Sequence, residues 1–259
     1  MMSVISSRWG VLLAILAVLA ATKVPAASAP GPFGQRAGDY VATFAEEFDS
    51  ALAPTRWNDH IWYEASSPTI NYAVENGALK IWPQADAAGH FVNRTIDTDG
   101  HFAQRYGYFE MEAKLPIGQG VWPAFWLLSH SSSTRPEIDI MEAYPGGGPS
   151  SGWSDSRLHP TTYAVSVWRD ATVQASFNKI SSTDLSADFH KYGVRWDSGV
   201  ITFYFDGAAV ASTRARLGEP MYILLDLWFG SASGLPDDST PEGKTNSFEI
   251  RYVRAWRFK

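Results

Sequence analysis

The chain has 259 residues, of which 45% are hydrophobic and 14% aromatic, with 11 Trp and no Cys. This length suits one large all-β domain or two small domains, and the hydrophobic fraction argues against a disordered polymer. With 21 basic and 27 acidic residues, the formal charge of −6 suggests neither a nucleic-acid-binding surface nor attraction to an acidic membrane. Without Cys, the chain has no disulfide, no thiolate metal site and no thiol nucleophile.

The first residues have the organisation of a secretory signal peptide. Arg8 stands before an uninterrupted apolar stretch at 9–21, and the small residues of 26–29 suit a cleavage site. The apolar stretch is shorter than the roughly 20 residues that a membrane-spanning helix needs. We therefore expect a signal peptide at 1–28, a leader at 29–38 and a secreted protein, with an uncleaved N-terminal anchor as the alternative.

From residue 40 onward the pattern is that of strands and turns. Residues 107–115 alternate between apolar and polar side chains, and Asp206-Gly207 and Asn76-Gly77 are typical of hairpin turns. No segment keeps a long helical period. We predict one all-β domain over residues 39–259, a sandwich or jelly roll. The predicted strands are 40–48, 70–75, 78–82, 91–97, 107–115, 122–128, 136–142, 163–168, 171–177, 190–196, 200–205, 208–213, 221–228 and 248–257.

Three carboxylates fall within six residues of an apolar strand, at Glu137, Asp139 and Glu142. Burial of ionised groups on a strand is costly unless partners compensate. Glu137 and Asp139 share a face, and one extra residue in a β-bulge at Ile140-Met141 would bring Glu142 to the same face. Such a row suits acid–base cleavage of a glycosidic bond. A calcium site or a solvated acidic edge is the alternative interpretation.

These motifs resemble glycoside hydrolase family sixteen in its laminarinase-like form. The segment Glu137-Ile-Asp139-Ile-Met-Glu142 is similar to the family's bulged E-x-D-x-x-E signature. The flanking segments 106–116 and 120–128 agree with it, as do later segments at 189–196, 201–207 and 220–225. The resemblance extends over roughly residues 40–258 without large gaps.

The resemblance implies a β-jelly roll of two curved antiparallel sheets with an open cleft on the concave sheet. It also implies a retaining, endo-acting hydrolase that needs no cofactor. Carried over by position, Glu137 is the nucleophile, Glu142 is the general acid/base, and Asp139 lies between them and hydrogen-bonds to the nucleophile.

Four Trp residues and one Arg are the candidate substrate-binding residues. Trp122 and Trp126 are four residues apart and alternate onto one face, where an indole ring can stack on the apolar face of a sugar. Trp168, Trp228 and Arg94 are further candidates. The alternative interpretations are core positions for the Trp residues and a solvated side chain for Arg94.

The expected partner is a polysaccharide, with β-1,3- or mixed β-1,3/1,4-glucan favoured by the bulged signature. Galactans and a bacterial exopolysaccharide stay open as substrates. Transglycosylation and a lectin-like binding module are the alternatives to hydrolysis. We expect a monomer that binds neither nucleic acid nor, after signal cleavage, membrane.

The chain departs from the family pattern at a structural calcium site. Many members have an Asp in the last strand that helps to bind calcium, and Arg251 stands at that place here. Calcium prefers oxygen ligands, and a guanidinium is a poor neighbour for it. We therefore expect no metal.

Overall fold

The computed structural model of the chain describes residues 30–130, 133–147 and 160–259. The predicted signal peptide at 1–28 lies outside the described residues, as does residue 29 of the leader. Among the residues that are described, no helix has the length and apolar character needed to cross a bilayer.

The described part of the chain is built of strands and a few short 3-10 helices, as the alternating pattern predicts. Sequence prediction located most of the strands to within a few residues. It missed one short strand at 103–104, and it ended the strand that starts near residue 171 too early. The strands are β1 Tyr40–Glu46, β2 Tyr72–Glu75, β3 Ala78–Ile81, β4 Arg94–Asp97, β5 Ala103–Gln104, β6 Gly107–Lys114, β7 Val121–Leu128, β8 Glu137–Ala143, β9 Thr162–Asp170, β10 Val173–Ser181, β11 His190–Trp196, β12 Ile201–Phe205, β13 Ala208–Thr213, β14 Met221–Phe229 and β15 Phe248–Phe258.

Two antiparallel sheets form the sandwich. One sheet, which we call the outer sheet, has the order β13-β12-β11-β6-β15-β3-β2, and β1 pairs with the C-terminal end of β15. We call the other sheet the inner sheet. The inner sheet has the order β10-β9-β8-β7-β14-β4, and β5 extends it by pairing with the start of β14. Strand β8, which carries the three carboxylates, therefore lies inside the inner sheet, with two strands on one side of it.

Alternation along the strands separates the core from the open face of the inner sheet. On β7, Val121, Phe125 and Leu127 are fully buried in the core between the sheets. Trp122 and Trp126 project from the other face, as their spacing predicts, and Trp126 packs against a smaller cluster that contains Ile61. Because Ile61 belongs to the connection between β1 and β2, that connection covers one end of the open face.

The segment before β1 packs on the outer sheet. The backbone N–H of Phe33 donates to a carboxylate oxygen of Glu110 at 2.9 Å, and Trp256 Nε1 donates to the carbonyl oxygen of Pro30 at 3.1 Å. Glu110 is buried by this contact and also accepts a hydrogen bond from Tyr252 at 2.9 Å. The described part of the leader is thus an ordered cover of the outer sheet.

Arg251 lies on the outer sheet, where the family resemblance would place a calcium ligand. Its guanidinium carbon is 3.6 Å from the centre of the Phe189 ring, and a guanidinium nitrogen is 3.9 Å from a Glu112 oxygen. A cation on an aromatic face occupies this place with favourable electrostatics of its own.

We predict that calcium does not stabilise the protein. Because Arg251 supplies a positive charge at this position, the midpoint of thermal unfolding should be the same with millimolar calcium chloride and with EDTA. Differential scanning calorimetry of the mature protein measures it. A marked rise of the midpoint with calcium, absent with magnesium at equal ionic strength, would contradict this prediction.

Candidate active site

A β-bulge brings the three carboxylates onto one face of β8. Asp139 is paired with Trp126 and Glu142 with Ala124, so three steps along β8 match two steps along β7. The same extra residue appears against β9, where Asp139 pairs with Ser166. Without the bulge Glu142 would point into the core. The predicted bulge is therefore confirmed, and it orients Glu142 toward the open face.

Asp139 is the most constrained of the three carboxyl groups. Ser166 Oγ donates a hydrogen bond to it, and Trp168 Nε1 donates another at 3.2 Å. Burial raises the pKa of Asp139 well above its ordinary value, and the charge of Glu137 adds to that rise. A neutral Asp139 can donate its proton to Glu137, and this hydrogen bond lowers the pKa of Glu137.

Glu142 is half-buried, and three polar side chains surround its carboxyl group. Trp122 Nε1 donates to Oε1 at 3.2 Å, Tyr144 Oη donates to the same oxygen at 3.1 Å, and Ser166 Oγ lies 3.4 Å from Oε2. Burial, followed by the charge of Asp139, raises the pKa of Glu142 to about 8, although its polar contacts with these side chains oppose the shift. Glu142 can therefore hold a proton at neutral pH.

Glu137 and Glu142 are electrostatically coupled. Burial and then the charge of Glu142 raise the pKa of Glu137 to about 8, and the hydrogen bond from Asp139 opposes this rise. Two interacting carboxyls lose their protons in two steps that belong to the pair. Between those steps the pair holds one proton, and the bond from Asp139 favours the charge on Glu137. Such a pair has one ionised and one protonated member, which acid–base chemistry requires.

A fourth carboxyl group, Asp226 on β14, was missed by the sequence analysis. It is paired with Ala124, is 5% exposed, and accepts a hydrogen bond from Trp126 Nε1 at 2.8 Å. Burial raises its pKa well above the ordinary value. The signal was available, because Asp226 is the one charged residue in the apolar run from Met221 to Phe229.

The four candidate Trp residues lie on the open face around these carboxyls. Trp122, Trp126 and Trp228 line a small cavity of about 110 Å³, and Trp122 and Trp168 line a larger one of about 420 Å³. Both cavities contain Glu137, Asp139 and Glu142. The Nε1–H group of each indole donates a hydrogen bond to another residue of the protein, and that of Trp228 donates to Thr95 at 2.9 Å. These bonds fix the ring orientations while the rings border the cavities.

Arg94 is the one candidate substrate-binding residue that lines neither of these two cavities. It pairs with Leu227, whose side chain is in the core, and is itself only 2% exposed. Its guanidinium donates to Asn71 Oδ1 at 2.8 Å and to the carbonyl oxygens of Asp59 and Thr69 at 2.7 and 2.9 Å. Alternation on β4 turns Arg94 toward the inter-sheet side, away from the cleft, and its burial contradicts the solvated alternative.

Comparison with known proteins agrees with this geometry. The sequence model of the family Glycosyl hydrolases family 16 matches residues 60–254. The chain belongs to this family, which is named for enzymes that hydrolyse glycosyl bonds.

Individual relatives are similar over most of the chain. The endo-1,3-1,4-beta-glycanase ExsH of Rhizobium meliloti is 33% identical over 217 residues, which are 80% of this chain and 44% of that protein. The endo-1,3-1,4-beta-glycanase EglC of the same organism is 34% identical over 78% of this chain and 43% of its own length. The chain thus spans less than half the length of these two relatives.

The solved structures show the same fold. The laminarinase catalytic domain of Thermotoga maritima superposes with a TM-score of 0.67 at 24% identity, covering 85% of this chain and 98% of that one. The jelly-roll sandwich of two antiparallel sheets that the sequence predicts is therefore confirmed.

The hydrogen bond from Tyr144 to Glu142 generates a prediction about pH dependence. This bond stabilises the ionised form of Glu142, so Tyr144→Phe should raise the pKa of Glu142 further. If activity needs protonated Glu142, the alkaline limb of the pH profile of kcat/KM then moves to higher pH. Steady-state kinetics on laminarin between pH 5 and pH 10 (roughly the span that brackets the shifted pKa) measures it.

Tyr163→Phe is the matched control for this measurement. Tyr163 is a fully buried core Tyr whose hydroxyl has no hydrogen-bond partner among the described residues. Its removal should leave the alkaline limb in place. An unmoved limb in Tyr144→Phe, or a move toward lower pH, would show that Glu142 is not the group that must stay protonated.

Proposed function

We propose that the protein is a secreted, retaining endo-hydrolase of a neutral β-glucan with β-1,3 or mixed β-1,3/1,4 linkages. The observation that carries this proposal is the row of Glu137, Asp139 and Glu142 on the open face of the inner sheet. Secretion rests on the signal-like residues 1–28, and we expect the mature enzyme to act as a monomer.

Each carboxyl group has a role that follows from its surroundings. Glu137, kept ionised by the hydrogen bond from Asp139, attacks the anomeric carbon of the sugar. Glu142, kept protonated by burial, donates its proton to the glycosidic oxygen as the leaving chain departs. The products of this step are a covalent glycosyl-enzyme and a free sugar chain.

In the second step Glu142 acts as a general base instead of a general acid. The two carboxyl groups are coupled, because the charge of Glu142 raises the pKa of Glu137. Formation of the glycosyl-enzyme consumes the charge of Glu137, so that charge no longer opposes ionisation of Glu142. Glu142 can then accept a proton from water, and the resulting hydroxide attacks the anomeric carbon and releases Glu137. Two displacements at the same carbon retain its configuration.

The lining of the cleft favours an uncharged polymer. Among the described residues that line the two cavities, none is a Lys, Arg or His, whereas four are carboxyl groups. A sulfated or carboxylated sugar would be repelled by the ionised Glu137 and would find no cation there to pair with. The aromatic rings offer surfaces for the apolar faces of neutral pyranoses. The names of the two Rhizobium meliloti glycanases, which refer to 1,3- and 1,4-linkages, agree with a β-glucan.

Substitution of the two glutamates tests the roles separately. Glu137→Gln should lower kcat by ~1,000-fold or more, equivalent to about 4 kcal/mol of lost transition-state stabilisation, on both laminarin and 4-nitrophenyl β-laminaritrioside. Glu142→Gln should lower it comparably on laminarin but much less on the first step of the nitrophenyl substrate. The reason is that nitrophenolate leaves without protonation. Reducing-sugar release and pre-steady-state absorbance measure these effects.

Glu249→Gln provides the control, because Glu249 is a carboxylate of the outer sheet that pairs with Lys114 at 3.4 Å. The kcat of Glu249→Gln should equal that of the unmodified enzyme. Proton NMR of the first product should show the β-anomer. Full activity in either active-site variant, or a first product in the α configuration, would overturn the proposal.

A further inference from the structure

The two strands beyond β8 carry a group of side chains that the proposed chemistry does not use. Trp168 of β9, with Gln174 and Phe177 of β10, lines the larger cavity together with the catalytic carboxyls. Strand β10 is the edge of the inner sheet. Phe177 is 38% exposed there, although natural edge strands usually carry polar or charged side chains.

Strand register places Phe177 in line with the catalytic row. Asp139 pairs with Ser166, and Ser166 pairs with Phe177, so the three side chains project from the same face on neighbouring strands. Two strand spacings separate β8 from β10, a distance of about 10 Å that corresponds to roughly two pyranose rings. In the adjacent row, Glu137 pairs with Trp168, and Trp168 pairs with Gln174.

A second β-bulge orients this group toward the cleft. Gln174 pairs with Trp168 and Ser176 with Val167, so two steps on β10 match one step on β9. The extra residue is Ala175, and it puts Gln174 on the face of Phe177 even though they are three residues apart. Bulges beside active sites commonly redirect side chains in this way. The edge strand is therefore built to present both side chains to the cavity.

The cavity sizes indicate which end of the cleft holds the departing chain. The smaller cavity is bordered by three indoles, and Asp226 joins Glu137 and Asp139 there. Positive charge develops on the sugar ring that is attacked, and a tight site bordered by three indole faces and the ionised Glu137 stabilises that charge best. The larger cavity, over β9 and β10, then receives the sugars on the leaving-group side.

We propose that Phe177 is a sugar-binding platform for the second ring on the leaving-group side, with Trp168 under the first ring and Gln174 hydrogen-bonding to hydroxyls. This inference rests on the proposed glucanase function and adds a determinant of specificity to it. A platform two rings past the cleaved bond favours substrates that extend at least that far. It therefore directs the enzyme toward internal bonds and away from release of single sugars.

The test compares two substrates that differ on the leaving-group side. Laminarihexaose places sugars on Phe177, whereas the nitrophenyl group of 4-nitrophenyl β-laminaritrioside ends near Trp168. In Phe177→Ala, the ratio of kcat/KM for the hexaose to kcat/KM for the aryl glycoside should fall about tenfold, the loss expected for burial of a small apolar sugar face. Phe177→Tyr keeps the ring and should restore the ratio.

Val173→Ala is the matched control, since Val173 is an exposed apolar residue of the same strand, 45% exposed, and lies outside the cavity. For Val173→Ala, the ratio of kcat/KM for the hexaose to kcat/KM for the aryl glycoside should equal that of the unmodified enzyme. Thermal unfolding of each variant shows whether the fold is intact. A Phe177→Ala variant that folds and lowers both values equally, or lowers neither, would overturn the platform.

A second readout follows the fate of the glycosyl-enzyme. With laminaritriose added as an acceptor, Phe177→Ala should form a smaller share of transfer product relative to hydrolysis, because the acceptor occupies the leaving-group side. An unchanged share would contradict the inference. If the unmodified enzyme cleaves neither substrate, the proposed function fails. If it cleaves both and the ratio and share do not respond to Phe177→Ala, only the role of Phe177 fails.

Discussion

The structure depends on keeping four carboxyl groups on one largely desolvated face of a sheet. Glu137, Asp139, Glu142 and Asp226 all have raised pKa values, with burial as the largest cause in every case. Removing such groups from water is unfavourable unless hydrogen bonds replace the lost solvent. The surrounding indoles and hydroxyls donate these bonds to three of the groups. The desolvation of these groups thus lowers the stability of the fold locally, while it raises the pKa values that acid–base chemistry needs.

The sandwich compensates for that loss through its core. No disulfide supports the fold, because the chain has no Cys. The large side chains buried between the sheets, among them Phe125, Trp196 and Phe203, remove extensive apolar surface from water. Trp residues contribute in two ways. Trp57 and Trp196 fill the core, whereas Trp122 and Trp168 each border a cavity and donate a hydrogen bond to a catalytic carboxyl.

The fold and the row of three carboxyl groups on β8 were predictable because local patterns determine them. The alternation of apolar and polar side chains predicted the strands. A β-bulge between Asp139 and Glu142 explained how both side chains can lie on one face. The positions of Arg94 and Asp226 were harder to predict. Asp226 stands out as a charged residue in an apolar run, but which face of β4 or β14 meets the core depends on pairing with strands far away in the sequence. The bulge at Ala175 was missed because β10 has no strong alternation.

The most direct test of this account is the pH dependence of stability in Glu142→Gln. An unfolded Glu titrates near pH 4.3, whereas burial holds Glu142 protonated in the folded protein up to about pH 8. Between these values ionisation favours the unfolded state, so the unmodified protein loses stability that the Gln variant keeps. The free energy of unfolding in urea, variant minus unmodified, should rise between those two pH values and then level off. Parallel curves would contradict the claim that the carboxyl groups on this face are desolvated at a cost in stability.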